Sequence, residues 1–409
     1  MEEGSQQKTI VILGAGFGGL SAALELGALK KKHRSDVRIV VIDRNDFQLF
    51  TPDLYEIAAA TQHVESEEAL KKAVCIDVRL GFAKHTIEYL NTSIQKVDPK
   101  ERVVYTESGE IMYDQLLISL GSEPFYFGIP GMRQHSIPFK WVNDAISIRE
   151  TIFHTMDTHD QVHIAVCGAG PAGVELAAEL RMMCEHHLKN RNCFALTLVE
   201  GKSHVLPQFP ENVQRAAEKR LKSLGIRMCT NFVIREAQEK KIISTDGREL
   251  TADIIIWTGG VKASSLLEQT QLQLTAHGQV DVDLSLRSKQ YDTIFVIGDC
   301  AQVEVSPKIF APMTAHEAVH QGPIAAYNMF AQLRGNTQLR TYRMKNEGFV
   351  IAMGGKNGIV VLPNGRLLTG FFGFFARKFV DFRHFQTVLP FMQACSFWYN
   401  GVKTMMRND

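Results

Sequence analysis

The chain has 409 residues, of which 45% are hydrophobic and 22% are charged, and its formal net charge at pH 7 is +1. This length allows two or three domains with buried cores, and the near-neutral charge gives no indication of a nucleic-acid partner. The sequence has no uncharged apolar run of about 18 residues or more, so we predict no membrane-spanning helix. The acidic, polar start MEEGSQQK does not resemble a signal peptide.

The chain begins with a β-α-β pattern whose first turn is rich in glycine. TIVILGAG predicts a buried strand, GGLSAALELGALKKKH a helix, and VRIVVIDRN a second strand that ends in Asp43. The GxGxxG spacing lets a backbone turn approach a pyrophosphate at a helix N-terminus, and the terminal acid can bind ribose hydroxyls. The residues of this turn are Gly14, Ala15, Gly16, Phe17, Gly18 and Gly19.

The same pattern returns in HIAVCGAG, AGVELAAELRMMCEHHLKN and FALTLVEG, with Gly168, Gly170, Gly173 and the terminal acid Glu200. One such motif is a weak signal, but two with the same flanking elements predict two dinucleotide sites. We expect a permanently held flavin and an exchangeable nicotinamide, because a hydride passes between two rings that stack. Glu200 favours NADH, since a carboxylate repels the additional phosphate of NADPH.

Each glycine-rich unit is followed by a predicted β-meander, at residues 84–118 and 225–256, and by a buried strand that ends in glycine. We therefore predict an α/β protein with two Rossmann-like dinucleotide-binding domains, followed by a C-terminal segment that the family resemblance described below makes membrane-associating. The predicted flavin domain is discontinuous. The predicted boundaries are 1–150 with 280–345 for the flavin domain, 151–279 for the nicotinamide domain, and 346–409 for the C-terminal membrane-anchoring or dimerisation segment.

Several stretches that together cover nearly the whole chain carry a family resemblance. They include VIDRNDFQLFTPDLYEIAA, YDQLLISLGSEPFYFGIPG, DIIIWTGGVKASSLL, TIFVIGDCA and APMTAHEAVHQG, besides the two glycine turns. In these stretches the chain resembles the type II, non-proton-pumping NADH:quinone oxidoreductases of the two-dinucleotide-binding-domain flavoproteins. The resemblance implies that bound, non-covalent FAD is reduced by NADH through hydride transfer. The reduced flavin then reduces a membrane quinone.

The resemblance also assigns cofactor-binding residues outside the glycine turns. Asp43 with Arg44 would meet the adenosine end of FAD, and Asp299 would hydrogen-bond the ribityl chain while capping a helix N-terminus. Phe50 and Pro52 would lie beside the isoalloxazine ring. The remaining cofactor-binding residues that we predict are Ile94, through its backbone to the adenine, Gly259, Ala315 and Ala318.

Two side chains are predicted to act in catalysis on the donor and flavin side. By resemblance, Glu175 faces the nicotinamide and the flavin, where it would position NADH. Its other interpretation is a carboxylate in a first helical turn, which the helix dipole keeps ionised and stabilises by about 0.3–1 kcal/mol. Lys378 is placed near the flavin or the acceptor by its position in the chain alone.

The acceptor side departs from the family, whose motif is Ala-Gln-x-Ala-x-Gln-Gln. Here Ala315, Ala318 and Gln321 match, but His316 and His320 replace glutamines. By resemblance, Gln321 is predicted to act in catalysis. We expect His316 to face the flavin pyrimidine edge and to supply a proton to the acceptor, because histidine titrates near neutrality. The two histidines share a helix face, but the sequence reveals no third ligand, so we predict no metal site.

The tail from Leu367 holds nine of the 24 phenylalanines, with arginines and lysines between them. Such helices can lie in a membrane surface with their cations near anionic lipid, or can form a core or a dimer face. The resemblance favours a peripheral location on the cytoplasmic face of the cell membrane. A homodimer remains open.

Three alternative functions follow from the same motifs. The seven cysteines have no CxxC or metal spacing and are predicted to be reduced thiols in the core. This argues against a disulfide reductase or a sulfide:quinone reductase, each of which needs a cysteine pair beside the flavin. A soluble NADH-dependent flavoprotein reductase of another acceptor is the second alternative. A flavin-bearing signalling protein related to apoptosis-inducing factor is the third, and it would not oxidise NADH in rapid multiple turnovers.

Overall fold

The computed structural model describes residues 7–61, 66–186 and 193–408, with the backbone alone at 185–186 and 404–408. Residues 1–6 of the polar N-terminus lie outside the described part. The described residues contain eleven α-helices, which are α1 (Phe17–His33), α2 (Leu54–Ala58), α3 (Glu67–Val74), α4 (Val78–Phe82), α5 (Met132–His135), α6 (Val142–Met156), α7 (Pro171–His186), α8 (Glu211–Ser223), α9 (Ala315–Leu333), α10 (Phe371–Val388) and α11 (Phe391–Asn408).

The first β-α-β pattern forms the centre of a five-stranded parallel sheet. Its aliphatic strands pair in register, for example Leu13 with Ile42 and Ile12 with Leu117, and both faces are covered. In spatial order the strands are Ile294–Val296, Gln115–Ile118, Thr9–Leu13, Arg38–Asp43 and Glu88–Asn91.

The second β-α-β pattern forms another five-stranded parallel sheet with the same arrangement. In each sheet the strand before the glycine turn is central, with the acid-bearing strand on one side and a later buried strand on the other. One edge strand comes from before residue 151, because Ile137 pairs with Ile256. The second sheet therefore extends beyond the segment assigned to it from sequence. In spatial order its strands are Ile137–Pro138, Ile254–Trp257, Val162–Cys167, Phe194–Val199 and Arg227–Cys229.

Six smaller sheets of two or three strands accompany these two sheets in the described residues. Both predicted meanders contain three antiparallel strands, while the outer parts of the predicted ranges, such as Glu88–Asn91 and Arg227–Cys229, join the parallel sheets instead. The remaining strands are Phe47–Leu49, Cys75–Asp77, Ile94–Asp98, Val103–Thr106, Gly109–Met112, Ser122–Pro124, Ile234–Gln238, Lys241–Ser244, Glu249–Thr251, Val261–Ala263, Val280–Val282, Ala301–Ser306, Ile309–Phe310, Phe349–Ala352, Gly358–Val361 and Leu367–Gly370.

The C-terminal segment packs on both halves of the molecule. Ile351 and Ile359 lie in the core of the second sheet, whereas Phe385 and Ala394 lie in the core of the first. Helices α10 and α11 therefore bury one face against the protein. Within the described residues, no helix combines the length and the apolar character needed to cross a bilayer.

The prediction that all cysteines are free thiols is wrong for one pair. Cys184, near the end of α7, is joined by a disulfide to Cys193, at the start of the next strand. The return of the chain brings their Cα atoms to 6.1 Å, a separation that a disulfide spans. Sequence spacing did not reveal this approach.

Candidate functional site

The first glycine turn uses each glycine for a different geometric reason. Gly14 has a φ of +93°, and a Cβ there would lie 2.5 Å from the Ser119 carbonyl oxygen. A Cβ on Gly19 would lie 1.9 Å from the Gly14 carbonyl oxygen, so α1 can approach its strand only without a side chain there. A Cβ on Gly16 would meet nothing within 4 Å. Gly16 therefore leaves open space where a pyrophosphate would bind.

Two side chains hold this turn in place. Asp43 accepts hydrogen bonds from the backbone N–H groups of Ala15 at 2.7 Å and Asn45 at 2.8 Å. The Ser119 hydroxyl donates to the carbonyls of Leu13 and Gly14 at 2.8 and 3.0 Å. Burial raises the pKa of Asp43, although the two donated backbone hydrogen bonds oppose it. Asp43 is predicted from the sequence, whereas Ser119 is not.

The second turn repeats this construction. Gly168 has a φ of +116°, and a Cβ there would lie 2.6 Å from the Cα of Gly259. A Cβ on Gly173 would lie 1.9 Å from the Gly168 carbonyl oxygen. Thr258 donates to that carbonyl at 2.8 Å, as Ser119 does in the first turn. Gly259, which was predicted to bind a cofactor, therefore packs directly against the second glycine turn.

The terminal acid of the second unit also holds its own turn. Glu200 accepts from the backbone N–H of Ala169 at 3.0 Å and from that of Lys202 at 3.0 Å. Each carboxylate oxygen keeps a further lone pair that can accept from a ribose hydroxyl. Gly170, like Gly16, has open space beside it. A Cβ on Gly170 would have the Gln208 amide nitrogen, at 3.8 Å, as its nearest atom.

A cavity of about 1000 Å³ opens beside the first glycine turn and is large enough for a dinucleotide. Gly19, Phe50 and Pro52 do not line it. The predicted flavin-site residues that line this cavity are Gly14, Ala15, Gly16, Phe17, Gly18, Asp43, Arg44, Ile94, Asp299, Ala315 and Ala318.

A polar chain that the sequence did not predict lies along this cavity. Lys140 donates to the Ser122 hydroxyl at 2.8 Å, and Ser122 donates to Asp299 at 2.5 Å. Burial lowers the pKa of Lys140, while Asp299 opposes this change. The Arg44 guanidinium lies 5.5 Å from the ring centre of Trp141, a second cavity residue that the sequence did not suggest.

The expected N-cap role of Asp299 is wrong. Asp299 lies inside a short 3₁₀ turn, Gly298–Cys300, which leads into a strand rather than a helix. The side-chain amide oxygen of Gln321 accepts from the Gly298 N–H at 2.7 Å and fixes this turn from α9. Gln321 was predicted to be catalytic, but its side chain is buried and holds the backbone next to Asp299.

Phe50 and Pro52 lie behind the cavity rather than on its surface. The Phe50 ring stacks on His384 with centroids 5.5 Å apart and contacts Phe385 at 4.8 Å. The Pro52 carbonyl accepts a hydrogen bond from Arg377. Between them, Thr51 does line the cavity. These two predicted residues therefore support the cavity wall at Thr51.

A buried ionic cluster joins three distant stretches of the chain. Arg377 of α10 donates to Glu175 of α7 at 2.6 Å and to Asp53 at 3.2 Å. Lys378 lies 3.4 Å from Asp53 and 3.6 Å from Asp381. The interpretation of the tail cations as lying near lipid is wrong for Arg377, which is buried and has its partners far away in the sequence. Lys378, predicted to lie near the flavin or the acceptor, is buried in the same cluster and does not line the cavity.

Burial and ion pairing compete within this cluster. Burial raises the pKa of Glu175, and Arg377 and the Ala352 N–H act against that rise. The helix dipole therefore does not decide the ionisation of this carboxyl by itself. Burial alone would raise the pKa of Asp53, but the positive charges of Lys378 and Arg377 outweigh the effect of burial. The pKa of Asp53 therefore lies below its usual value. Burial and the nearby Asp53 raise the pKa of Asp381 to about 7.

His316 is placed differently from the prediction. It is exposed on α9 and does not line the cavity, whereas Ala315 and Ala318 of the same helix do. Its ring packs against His320 with centroids 4.5 Å apart. Partial burial and His320 lower the pKa of His316. This geometry therefore does not favour a direct contact between His316 and the pyrimidine edge of the flavin.

The free cysteines do not form a redox site at the cavity. Cys167 and Cys300 are buried, and burial raises the pKa of each to about 12. They are therefore protonated at neutral pH and poorly nucleophilic. The Cys184–Cys193 disulfide belongs to the core of the second sheet and does not line the cavity.

Comparisons with known proteins agree with this architecture. A type II NADH:quinone oxidoreductase of Haemophilus influenzae is 27% identical over 397 residues, with 87% of each chain covered. The demethylphylloquinone reductase NdbB of a Synechocystis species is 29% identical over 386 residues, with 92% of each covered. The solved structure of NDH2 from Plasmodium falciparum in complex with NADH superposes with a TM-score of 0.81 at 19% identity, covering 98% of both chains.

These relatives confirm the resemblance to type II NADH:quinone oxidoreductases and the predicted α/β fold with two dinucleotide-binding domains. Residues 8–322, well over half of the chain, match a single family. The chain belongs to the pyridine nucleotide-disulphide oxidoreductase family.

Proposed function

We propose that this oxidoreductase is an NADH:quinone oxidoreductase that carries FAD and works without pumping protons. The observation that carries the proposal is the pair of glycine turns, each held by an acid and a hydroxyl, together with a buried ionic cluster that joins α7 to α10 and to Asp53. Glu175 lies in the first turns of α7, which follows the second glycine turn. Through Arg377 the cluster connects Glu175 to Asp53, beside the cavity of the first turn. One unit can therefore deliver NADH to a flavin held by the other.

The cavity beside the first turn supports FAD as the resident group. Gly16 offers open space for a pyrophosphate, Asp43 offers carboxylate lone pairs, and Asp299 is a further carboxylate of the lining. Lys140 and Ser122 would hold Asp299 in position for a hydroxylated chain. When bound, FAD accepts a hydride from a nicotinamide and passes the electrons to a different acceptor.

The second turn supports NADH as the donor. Gly170 leaves room for a pyrophosphate, and the carboxylate of Glu200 disfavours a second phosphate on the ribose. Glu175 follows on α7 and is held by Arg377 and the Ala352 N–H. We infer that Glu175 positions the nicotinamide end of NADH, and that Arg377 positions Glu175.

The acceptor and the location are proposed from the C-terminal helices. Helices α10 and α11 expose several large apolar side chains on the sides that are not buried in the protein. The described residues of this exposed aromatic face are Phe371, Phe372, Phe375, Phe379, Val380, Phe391, Met392 and Tyr399. Such a face suits a membrane surface, where a lipophilic quinone is met. We propose peripheral attachment to the cytoplasmic face of the membrane.

The experiment for this function compares Glu175→Gln with the matched control Glu211→Gln, an exposed glutamate of α8. With a short-chain quinone under anaerobic conditions, we expect Glu175→Gln to lower kcat/KM for NADH by about 10–100-fold, the value of a charge-assisted hydrogen bond. The flavin content of both variants should match that of the wild type. Unchanged NADH kinetics in Glu175→Gln would remove this residue from the donor site.

A further inference from the structure

Two histidines on α9 contact each other outside the cofactor cavity, and the proposed reaction assigns no role to this pair. His316 and His320 are one helical turn apart, and their ring centroids are separated by 4.5 Å. Both are at least partly exposed, whereas Ala315 and Ala318, on another side of the same helix, line the cavity. The pair therefore points away from the cofactor cavity. Histidines at positions i and i+4 of a helix are a common metal-chelating arrangement.

The chain that follows α9 supplies the third group that the sequence did not reveal. Glu347 approaches His320, with 3.4 Å between a carboxylate oxygen and Nε2. One potential ligand atom from each of His316, His320 and Glu347 lies within 4.8 Å of the others. Ligand atoms of a tetrahedral zinc ion are about 3.4 Å apart when each bond is about 2.1 Å. Small side-chain rotations would therefore bring the three atoms onto one ion.

The chain before Glu347 is held against α9 at Arg340 and Tyr342. Asn328 exchanges two hydrogen bonds with the backbone of Arg340, at 2.9 and 2.7 Å. Further along, the buried Tyr342 hydroxyl donates to the buried carboxylate of Glu317, which follows His316. The chain therefore lies along the N-terminal half of α9 from Tyr342 onward, where Glu347 meets His320.

We propose that His316, His320 and Glu347 bind a divalent transition-metal ion such as Zn²⁺, which ties the segment 340–347 to α9. Two imidazoles and one carboxylate form a ligand set that zinc prefers, with solvent completing the coordination. Lys345 is a nearby cation whose charge would repel the metal ion. Glu317 and Glu347 carry negative charges that would attract it. The site is independent of the proposed quinone chemistry.

The test is a zinc titration of the untagged holoenzyme after chelator treatment, in competition with a chromogenic chelator. We expect one strong zinc equivalent per chain. His316→Gln and His320→Gln keep a polar side chain, and each should weaken that equivalent by at least about 10-fold. The control is His204→Gln, which disrupts an exposed His–Glu pair at 3.0 Å for which the described residues offer no third ligand. It should leave zinc affinity unchanged.

A second measurement tests the tether. Zinc should slow amide hydrogen exchange across residues 341–348 in the wild type but not in Glu347→Gln, and flavin content should be the same in both. A wild-type protein without a strong zinc equivalent would overturn the proposal. So would a zinc affinity equal to that of the wild type in His316→Gln and His320→Gln, or a loss of zinc in His204→Gln.

Discussion

The Arg377 guanidinium donates a 2.6 Å hydrogen bond to the Glu175 carboxylate and so joins α10 to the helix that follows the second glycine turn. The same guanidinium reaches the Pro52 carbonyl and Asp53, beside the wall of the first cavity. Arg377 is only 6% exposed. The C-terminal segment therefore completes the interior of the site in addition to presenting an aromatic face.

Replacement of Arg377 by methionine should destabilise the fold strongly. It leaves the buried Glu175 without its cation and removes one of the two cations beside Asp53, and breaking a buried pair in this way costs about 3–5 kcal/mol. The melting temperature of the holoenzyme measures the loss. Arg383→Met is the matched control, because Arg383 is exposed on the same helix, and it should melt close to the wild type. Equal melting temperatures for the two variants would mean that the ionic cluster is not structural.

Asp381 should impose a pH dependence on stability. Its pKa is raised to about 7 by burial and by Asp53, so the folded protein holds this proton more tightly than the unfolded chain does. The resulting stabilisation is complete below about pH 4, the usual carboxyl pKa, and is lost as the pH rises through about 7. Asp381→Asn is neutral at every pH. The melting temperature of the wild type should therefore fall relative to that of Asp381→Asn between about pH 5 and about pH 8. A constant difference would contradict the raised pKa.

The two glycines of the first turn should fail in different ways. An alanine at Gly16 meets no protein atom within 4 Å, so Gly16→Ala should fold with wild-type helical circular dichroism but retain less flavin. An alanine at Gly19 would place its Cβ 1.9 Å from a carbonyl oxygen, so Gly19→Ala should lose the folded protein. Flavin absorbance per protein and circular dichroism separate the outcomes. Full flavin content in Gly16→Ala would exclude a pyrophosphate at this position.

The exposed aromatic face should bind anionic vesicles. Phe372 is 74% exposed and Phe375 is 66% exposed, and insertion of each ring into a bilayer would contribute up to about 1.5–3 kcal/mol. In a vesicle sedimentation assay, the double variant Phe372→Ser, Phe375→Ser should bind with an affinity at least about 10-fold lower than that of the wild type. It should still reduce a short-chain quinone. Met112→Ser, which removes a 70% exposed apolar residue elsewhere, should bind normally. A change in oligomeric state with unchanged vesicle binding would identify a dimer face instead.

The periodic elements could be predicted from sequence because their signals are local. The strand before Gly14, the helix after it and the acid at Asp43 lie within a few dozen residues, and apolar periodicity together with glycine spacing defines them. The hydroxyls of Ser119 and Thr258 could have been suspected, because they occupy matching places at the ends of the two later buried strands.

The remaining site residues depend on contacts between distant segments. Arg377 resembles a surface cation in the sequence, because its partners Asp53 and Glu175 lie more than 200 residues away. Glu347 carries no local motif, and only the return of the chain along α9 brings it to His320. Asp299 resembled an N-cap because a polar residue follows a strand and a glycine, but the chain continues into another strand.

Sequential anaerobic stopped-flow mixing tests the central proposal most directly. The purified holoenzyme is mixed first with NADH and then with a short-chain quinone, while the flavin absorbance is followed. We predict rapid bleaching by NADH and rapid recolouring by the quinone, over repeated turnovers. Rapid bleaching without recolouring would contradict a quinone acceptor, and the absence of rapid bleaching would contradict NADH as the donor.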